Sequence, residues 1–355
     1  MEDYTYDSYY QEGNATYPIH YNPYKIEQIT FEVFLLVILL VGNITVLTVI
    51  IVEGQKSRMH FFIKNLAVAD LLCGIFFVIP RIAVHSNDGI FYGGNTLCKL
   101  QEFLSNIGIY GSNMIMIALS IDRLHILIRP LGSLASRGRN PTIICIFCWV
   151  AAVIVSVTGP IVFKYDAVYQ ECYVDLDHSD MKIYFTVIFV FVFVIPTIII
   201  VGCYSTIAVI IWRVSARNEG YQMKEKASVS RQHSKLLSSR QSSTSSGSEH
   251  DDSNSSISKA KMKTIRMTFV IALAFVCCWA PYMIFNLLSV YDQIPWTPEI
   301  IPVAIFMESL LPLNSVVNPL IYCVFSIRVC KQCRKHVTRR LSTSRSTRKT
   351  DQLFL

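Results

Sequence analysis

Several side chains in this sequence have a chemistry out of keeping with their neighbours. Asp70 stands inside an apolar run, Asn65-Leu-Ala-Val-Ala-Asp70, and Asn43, Ser112, Asn314, Ser315 and Asn318 punctuate other apolar runs. An ionisable or strongly polar group in such surroundings is costly unless something satisfies it. Brought to one depth, these amides and hydroxyls would surround a single carboxylate. Such a cluster holds water or a small cation such as Na⁺ at Asp70, or serves as a plain hydrogen-bond network. Arg81, Glu102 and Glu308 are a second set, charges placed towards one end of their runs. Arg81 is expected to pair with one of the two acids and leave the other for a basic group on a ligand. A purely structural salt bridge accounts for the same charges. Asp122-Arg123 closes a long apolar run; an arginine there can hold the adjacent acid or release it to reach a partner protein.

These residues need elements to position them. The chain has 355 residues, 52% of them hydrophobic and 16% charged, where a soluble chain carries about 25% charge. Crossing roughly 30 Å of hydrocarbon takes about 20 apolar residues. Such stretches run from Gln28 to Val52, Met59 to Val84, Thr96 to Ile128, Pro141 to Phe163, Met181 to Trp212, Met262 to Tyr291 and Pro298 to Phe325. The fold expected is all-α: an integral membrane bundle of seven transmembrane helices over 28–325. Long continuous runs exclude a β-barrel, whose strands would show alternations of about ten residues. Pro80, Pro160, Pro196, Pro281, Pro312 and Pro319 fall inside the spans and read as kinks, since neighbouring helices can satisfy the freed backbone groups.

Orientation follows the basic residues. Lys56 and Arg58 follow span one, Arg129, Arg137 and Arg139 follow span three, and Arg213, Arg217, Lys224 and Lys226 follow span five. The net charge of +7 is concentrated on this side, which is therefore cytoplasmic. The N-terminal tail, 1–27, is outside; it lacks a signal peptide, so the first span doubles as the targeting signal. A glycosylation sequon at Asn14 falls on that outer side. Residues 215–258 are rich in Ser, Lys, Arg and acids and are expected to be a disordered cytoplasmic loop. Residues 326–336 read as a short amphipathic helix on the membrane surface with palmitoylated Cys330 and Cys333, and 337–355 as a disordered tail. Of eleven cysteines, Cys98 and Cys172 are the two expected on the oxidising side, where they should form a disulfide. The basic residues lie in short blocks between spans, which argues against nucleic-acid binding.

The motifs have a familiar order. Asn43, Leu66-Ala-Val-Ala-Asp70, Asp122-Arg123-Leu124, Trp149, Pro196 with Tyr204, Cys278-Trp-Ala-Pro281 and Asn318-Pro-Leu-Ile-Tyr322 occur one set per span. Over roughly 28 to 336 the chain resembles the rhodopsin-like (class A) G-protein-coupled receptors, although Leu124 stands where that family usually has Tyr. The resemblance implies that Trp279, with Phe275 one turn below and the kink at Pro281, is the rotamer-sensitive floor of a ligand pocket. Plain core packing is the alternative for Trp279. It also implies that Tyr204, Pro319 and Tyr322 help free Arg123 for a heterotrimeric G protein. No cofactor and no enzymatic activity are implied.

The same resemblance bears on the ligand. No Lys occurs in span seven for a retinal Schiff base, and Ser105 stands where an amine receptor carries Asp. Lys56-Ser-Arg-Met-His-Phe-Phe62, Cys278-Trp-Ala-Pro-Tyr282 and Asn318-Pro-Leu-Ile-Tyr-Cys-Val-Phe-Ser326 are similar to the vasopressin/oxytocin, neuropeptide S and crustacean cardioactive peptide receptor group. The function implied is a plasma-membrane receptor for an extracellular neuropeptide carrying a basic group, signalling through Gq-class calcium release. Arg81, Glu102, Ser105, Trp279, Tyr282 and Glu308 are its candidate ligand contacts. Acidic residues crowd the expected outer surface, among them Asp166, Glu171, Asp175, Asp177 and Asp292, and would steer a cation inward. Ser and Thr in 228–258 and 342–350 are candidate sites for receptor kinases and arrestin, or plain linker. A receptor for a lipid or other small molecule is the alternative. A transporter would show midplane charges in two related halves, and the sequence has one midplane carboxylate and no internal repeat.

Overall fold

The computed structural model describes residues 9–12, 15–18, 24–54, 58–128, 140–213, 251–295, 297 and 299–325. Asn14, Cys330, Cys333, the expected surface helix 326–336, the tail 337–355 and most of the 215–258 loop lie outside the described residues. The N-terminal tail contains a hairpin, β1 (Tyr9–Glu12) and β2 (Ala15–Pro18), with Tyr9 opposite Pro18. Among the described residues, six helices are long and apolar enough to cross a membrane, and a bent pair makes a seventh. They are α1 (Lys25–Glu53), α2 (58–86), α3 (Gly94–Ile128), α4 (141–162), α5 (178–213), α6 (Asp251–Val290) and α7 (300–325). The expected seven-helix bundle is the fold observed.

Local chemistry fixes the helix ends. After α1, Gly54 takes the left-handed conformation at φ 59° and returns its N–H to the Ile51 carbonyl at 3.3 Å, an arrangement glycine adopts without steric penalty. Asn140 caps α4 by accepting from the Thr142 amide at 3.1 Å, with Pro141 in the first turn. The prolines distort the helices in distinct ways. Ahead of Pro80 and of Pro196 the backbone widens into π-helical turns, Gly74–Val78 and Phe189–Val194; such turns absorb hydrogen bonds that a straight helix would lose. At Pro312 the distortion goes further. Ile300–Ser309 and Leu313–Phe325 meet at 40°, so α7 is two half-helices joined at residues 310–312.

One expectation needs correcting. The helix of α6 begins at Asp251, inside the segment read as a disordered loop to Ser258.

The core runs along the bundle axis, through Phe62, Leu66, Ile115, Met116, Ile207, Ile271 and Phe275, all fully buried. Outward faces are equally apolar: Phe147, Ile161 and Ile198 are 73%, 73% and 64% exposed. Water would penalise such a surface, whereas hydrocarbon does not. Glycine lets two helix pairs approach closely. A Cβ on Gly108 of α3 would lie 2.6 Å from the Cys73 backbone nitrogen of α2, and one on Gly42 of α1 would lie 2.7 Å from Pro319 Cγ of α7.

Candidate functional site

One end of the bundle opens into a cavity of about 1070 Å³, large enough for several residues of a peptide. Strands β3 (Phe163–Asp166) and β4 (Glu171–Val174) form an antiparallel hairpin at its mouth. The Cys98–Cys172 disulfide, Cα–Cα 5.7 Å, ties β4 to the start of α3. Cys172 and Tyr173 line the cavity, so the bridge holds the hairpin against the opening. All six candidate ligand contacts, Arg81, Glu102, Ser105, Trp279, Tyr282 and Glu308, line the same cavity. Ser105 turns its hydroxyl to the Glu102 carbonyl at 3.1 Å, which leaves the Glu102 carboxylate to the cavity.

The charges are arranged unequally. Arg81 donates to Glu308 Oε2 at 2.5 Å, to Glu32 Oε1 at 2.9 Å and to the Ile305 carbonyl at 2.8 Å. Glu32 of α1 is 1% exposed; it also accepts from Ser309 Oγ at 2.8 Å and contacts His85 Nδ1 at 3.1 Å. The Glu102 carboxylate has neither hydrogen bond nor ion pair among the described residues. Arg81 is thus saturated by two acids, and Glu102 is left uncompensated. Glu32, His85 and Ser309 were missed by sequence reasoning. The signal was present for Glu32: it is an ionisable residue inside the first apolar span.

Beyond the cavity mouth, Asp292 bridges α5 and the α6–α7 turn. Its Oδ2 accepts from Lys182 Nζ at 3.0 Å and contacts His178 Nε2 at 3.1 Å. The Lys182 bond, with help from His178, holds the Asp292 carboxyl below its ordinary range. Thr186 and Tyr291 meet beside it at 3.1 Å.

At the cavity floor Trp279 packs against Phe275 in a tilted arrangement at 6.0 Å, and Phe275 reaches Phe193 at 6.4 Å between ring centroids. Pro281 follows within α6. Deeper still, Asp70 is fully buried and accepts three hydrogen bonds: from Ser112 Oγ at 2.9 Å, Ser315 Oγ at 2.8 Å and Asn318 Nδ2 at 3.0 Å. Asn43 joins through the backbone, donating to the Ser315 carbonyl at 3.1 Å. The side-chain oxygens of Asn43, Asn314 and Asn318 are buried without a hydrogen-bond donor among the described residues. A carboxylate, two hydroxyls and unpaired amide oxygens make a hard oxygen set that suits an alkali cation.

The opposite end of the bundle carries the Asp122–Arg123 pair. Arg123 donates to Asp122 Oδ2 at 2.9 Å, and Arg58 of α2 donates to Oδ1 at 2.5 Å. Tyr204 of α5 and Tyr322 of α7 are buried, Tyr204 against the Phe269 ring at 5.6 Å. The part taken by Arg58 was not legible from its place in a basic loop.

Comparison with known proteins agrees with this geometry. A family model described as the seven-transmembrane receptor (rhodopsin family) matches residues 42–322. The neuropeptide S receptor of Mus musculus is 31% identical over 88% of this chain and 80% of its own length. The mesotocin receptor of Rhinella marina is 32% identical over 85% of this chain and 74% of its own. The vasopressin V1b receptor of Mus musculus is 28% identical over 85% and 75%.

Proposed function

The chain belongs to the rhodopsin family of seven-transmembrane receptors and is a multi-pass G-protein-coupled receptor, not an enzyme; we propose that its ligand is an extracellular neuropeptide carrying a basic group. The observation that carries this reading is the uncompensated Glu102 carboxylate in a cavity where Arg81 is already held by Glu32 and Glu308 and Lys25 by Asp88. A cation entering there satisfies a charge that the protein itself does not. The size of the cavity and relatives named for peptides, neuropeptide S and mesotocin, support the class.

The bundle orientation is N-terminus outside, from the Lys and Arg segments after spans one, three and five. The ligand then sits on Trp279 and Tyr282, and its binding biases the packing of Trp279, Phe275 and Phe193. A ligand moves such an equilibrium only by binding one shape better than the other; going from 1:99 to 99:1 takes about 10⁴-fold preference. Pro281 and Pro319 give α6 and α7 a place to bend, Tyr204 and Tyr322 shift with them, and Arg123 leaves Asp122 for the G protein. Gq-class coupling is our assignment. Asp70, Ser112, Ser315, Asn314 and Asn318 are the residues that would hold a Na⁺ ion, which neutralises the carboxylate. Receptor kinases and arrestin acting on the serine-rich loop and tail, a glycan at Asn14 and palmitate at Cys330 and Cys333 complete the reading.

The test exposes expressing cells to a panel of synthetic neuropeptides and records calcium and cyclic AMP. The expected result is calcium release to one basic peptide, with potency reduced about tenfold or more by Glu102→Gln, as for a charged pair that loses one partner. Silence to every peptide together with a response to a lipid extract overturns the peptide reading. A potency untouched by Glu102→Gln and by Glu308→Gln overturns the basic anchor.

A further inference from the structure

The acid of the Asp122–Arg123 pair is shared. Arg58, in the first turn of α2, occupies Asp122 Oδ1 at 2.5 Å, and Arg123 occupies Oδ2 at 2.9 Å. The Asp122 side chain is 1% exposed, that of Arg123 9% and that of Arg58 29%. One buried anion therefore holds two cations, each on its own oxygen and each from a different helix.

The two bonds have different consequences when the receptor switches. If Arg123 turns away, a lone Asp122 stays behind as a buried carboxylate without a counter-charge. Breaking a buried pair is expensive chiefly because of the charge that is stranded. With Arg58 in place the carboxylate keeps a cation on Oδ1, and only the Oδ2 bond is given up.

We propose that Arg58 is a positioning residue for the switch: it retains Asp122 as an ionised, fixed acceptor while Arg123 is released to the G protein. It acts through Asp122, not on the G protein. The inference rests on the reading of Arg123 as the G-protein contact.

Basal nucleotide exchange tests it without any ligand. Membranes with counted, surface-accessible receptor are mixed with purified Gq, Gi or Gs heterotrimers, and GTP uptake per receptor is measured. Arg58→Gln strands the acid on release and is expected to lower basal exchange about tenfold; Arg58→Met, a second neutral variant, should do the same. Arg58→Lys, which restores the charge, recovers most of the exchange. Asp122→Asn raises exchange above the parent, and Arg58→Gln has no further effect in that background, because no carboxylate remains to be held. Equal loss from Arg58→Gln with and without Asp122 overturns the proposal, since Arg58 would then be a strut for α2. A rise in exchange from Arg58→Gln also overturns it, since Arg58 would then be a lock on the resting state. Absence of exchange above receptor-free membranes in the parent and in Asp122→Asn, on every heterotrimer, removes the G-protein reading itself and this inference with it.

Discussion

At the scale of single residues, charge is sorted by burial. Glu32 and Glu308 both hold Arg81, but their side chains are 2% and 48% exposed. Breaking a buried pair costs about 3–5 kcal/mol where the other ion is stranded, and somewhat less here because Glu308 still holds Arg81, whereas a solvent-screened pair is worth about 0–1 kcal/mol. Glu32→Gln is therefore expected to lower the melting temperature of the purified receptor markedly, and Glu308→Gln only slightly; equal shifts would contradict the sorting. The same contrast explains what the sequence disclosed. Asp70 announced itself, because a carboxylate midway along an apolar run has no route to water and must gather partners. Arg81, Glu102 and Glu308 were recognisable as out of place for the same reason. The unequal division of Arg81 was not, since Glu32 lies 49 positions away and Glu308 lies 227 positions away, and one-dimensional order carries no distances. Arg58 was hidden more completely: in a basic loop, a membrane-flanking role is sufficient explanation.

At the scale of elements, two contacts set how the helices may move. Gly108 lets α3 meet the α2 backbone, and a Cβ there has backbone rather than a flexible side-chain tip in its way. Gly108→Ala should cost about 1–3 kcal/mol, as for overpacking. Gly202→Ala, with nothing within 4 Å, should be neutral or stabilising by about 1 kcal/mol through helix propensity. Thermal unfolding of the two variants checks both signs. The Asp292 clasp across α5 and α6 is a charge contact outside the membrane. Its carboxyl is held below the ordinary aspartate range by Lys182 and His178, so its contribution is present above that range and lost as pH falls through the lower folded value. The melting-temperature gap between the parent and Asp292→Asn should not shrink from pH 7 to pH 5 and should close in stronger acid. Elements were legible wherever apolar length decides them: α1 to α5 begin and end within a few residues of the apolar runs. Pro80, Pro196 and Pro312 marked where α2, α5 and α7 would distort, but not whether each would give a π-helical turn or a break, because that depends on which backbone groups the neighbouring helices can satisfy; the extension of α6 to Asp251 was not read from composition.

At the scale of the molecule, the bundle has a cavity end and an opposite end that carries Asp122 and Arg123, with the polar cluster around Asp70 buried between them. Epitope tags at the two termini should be detected on opposite faces of intact cells, the N-terminal one without permeabilisation; both on one face would refute the orientation. The joint at residues 310–312 divides α7 into two separately anchored pieces. The half of α7 before the joint carries Glu308 and Ser309, clamped to α2 and α1, and the half after it carries Ser315 and Asn318, clamped to Asp70. Two pieces that meet at a bend and are anchored separately need not move as one rod. Side chains lining the cavity on the first piece can thus change while the second keeps its seating on Asp70.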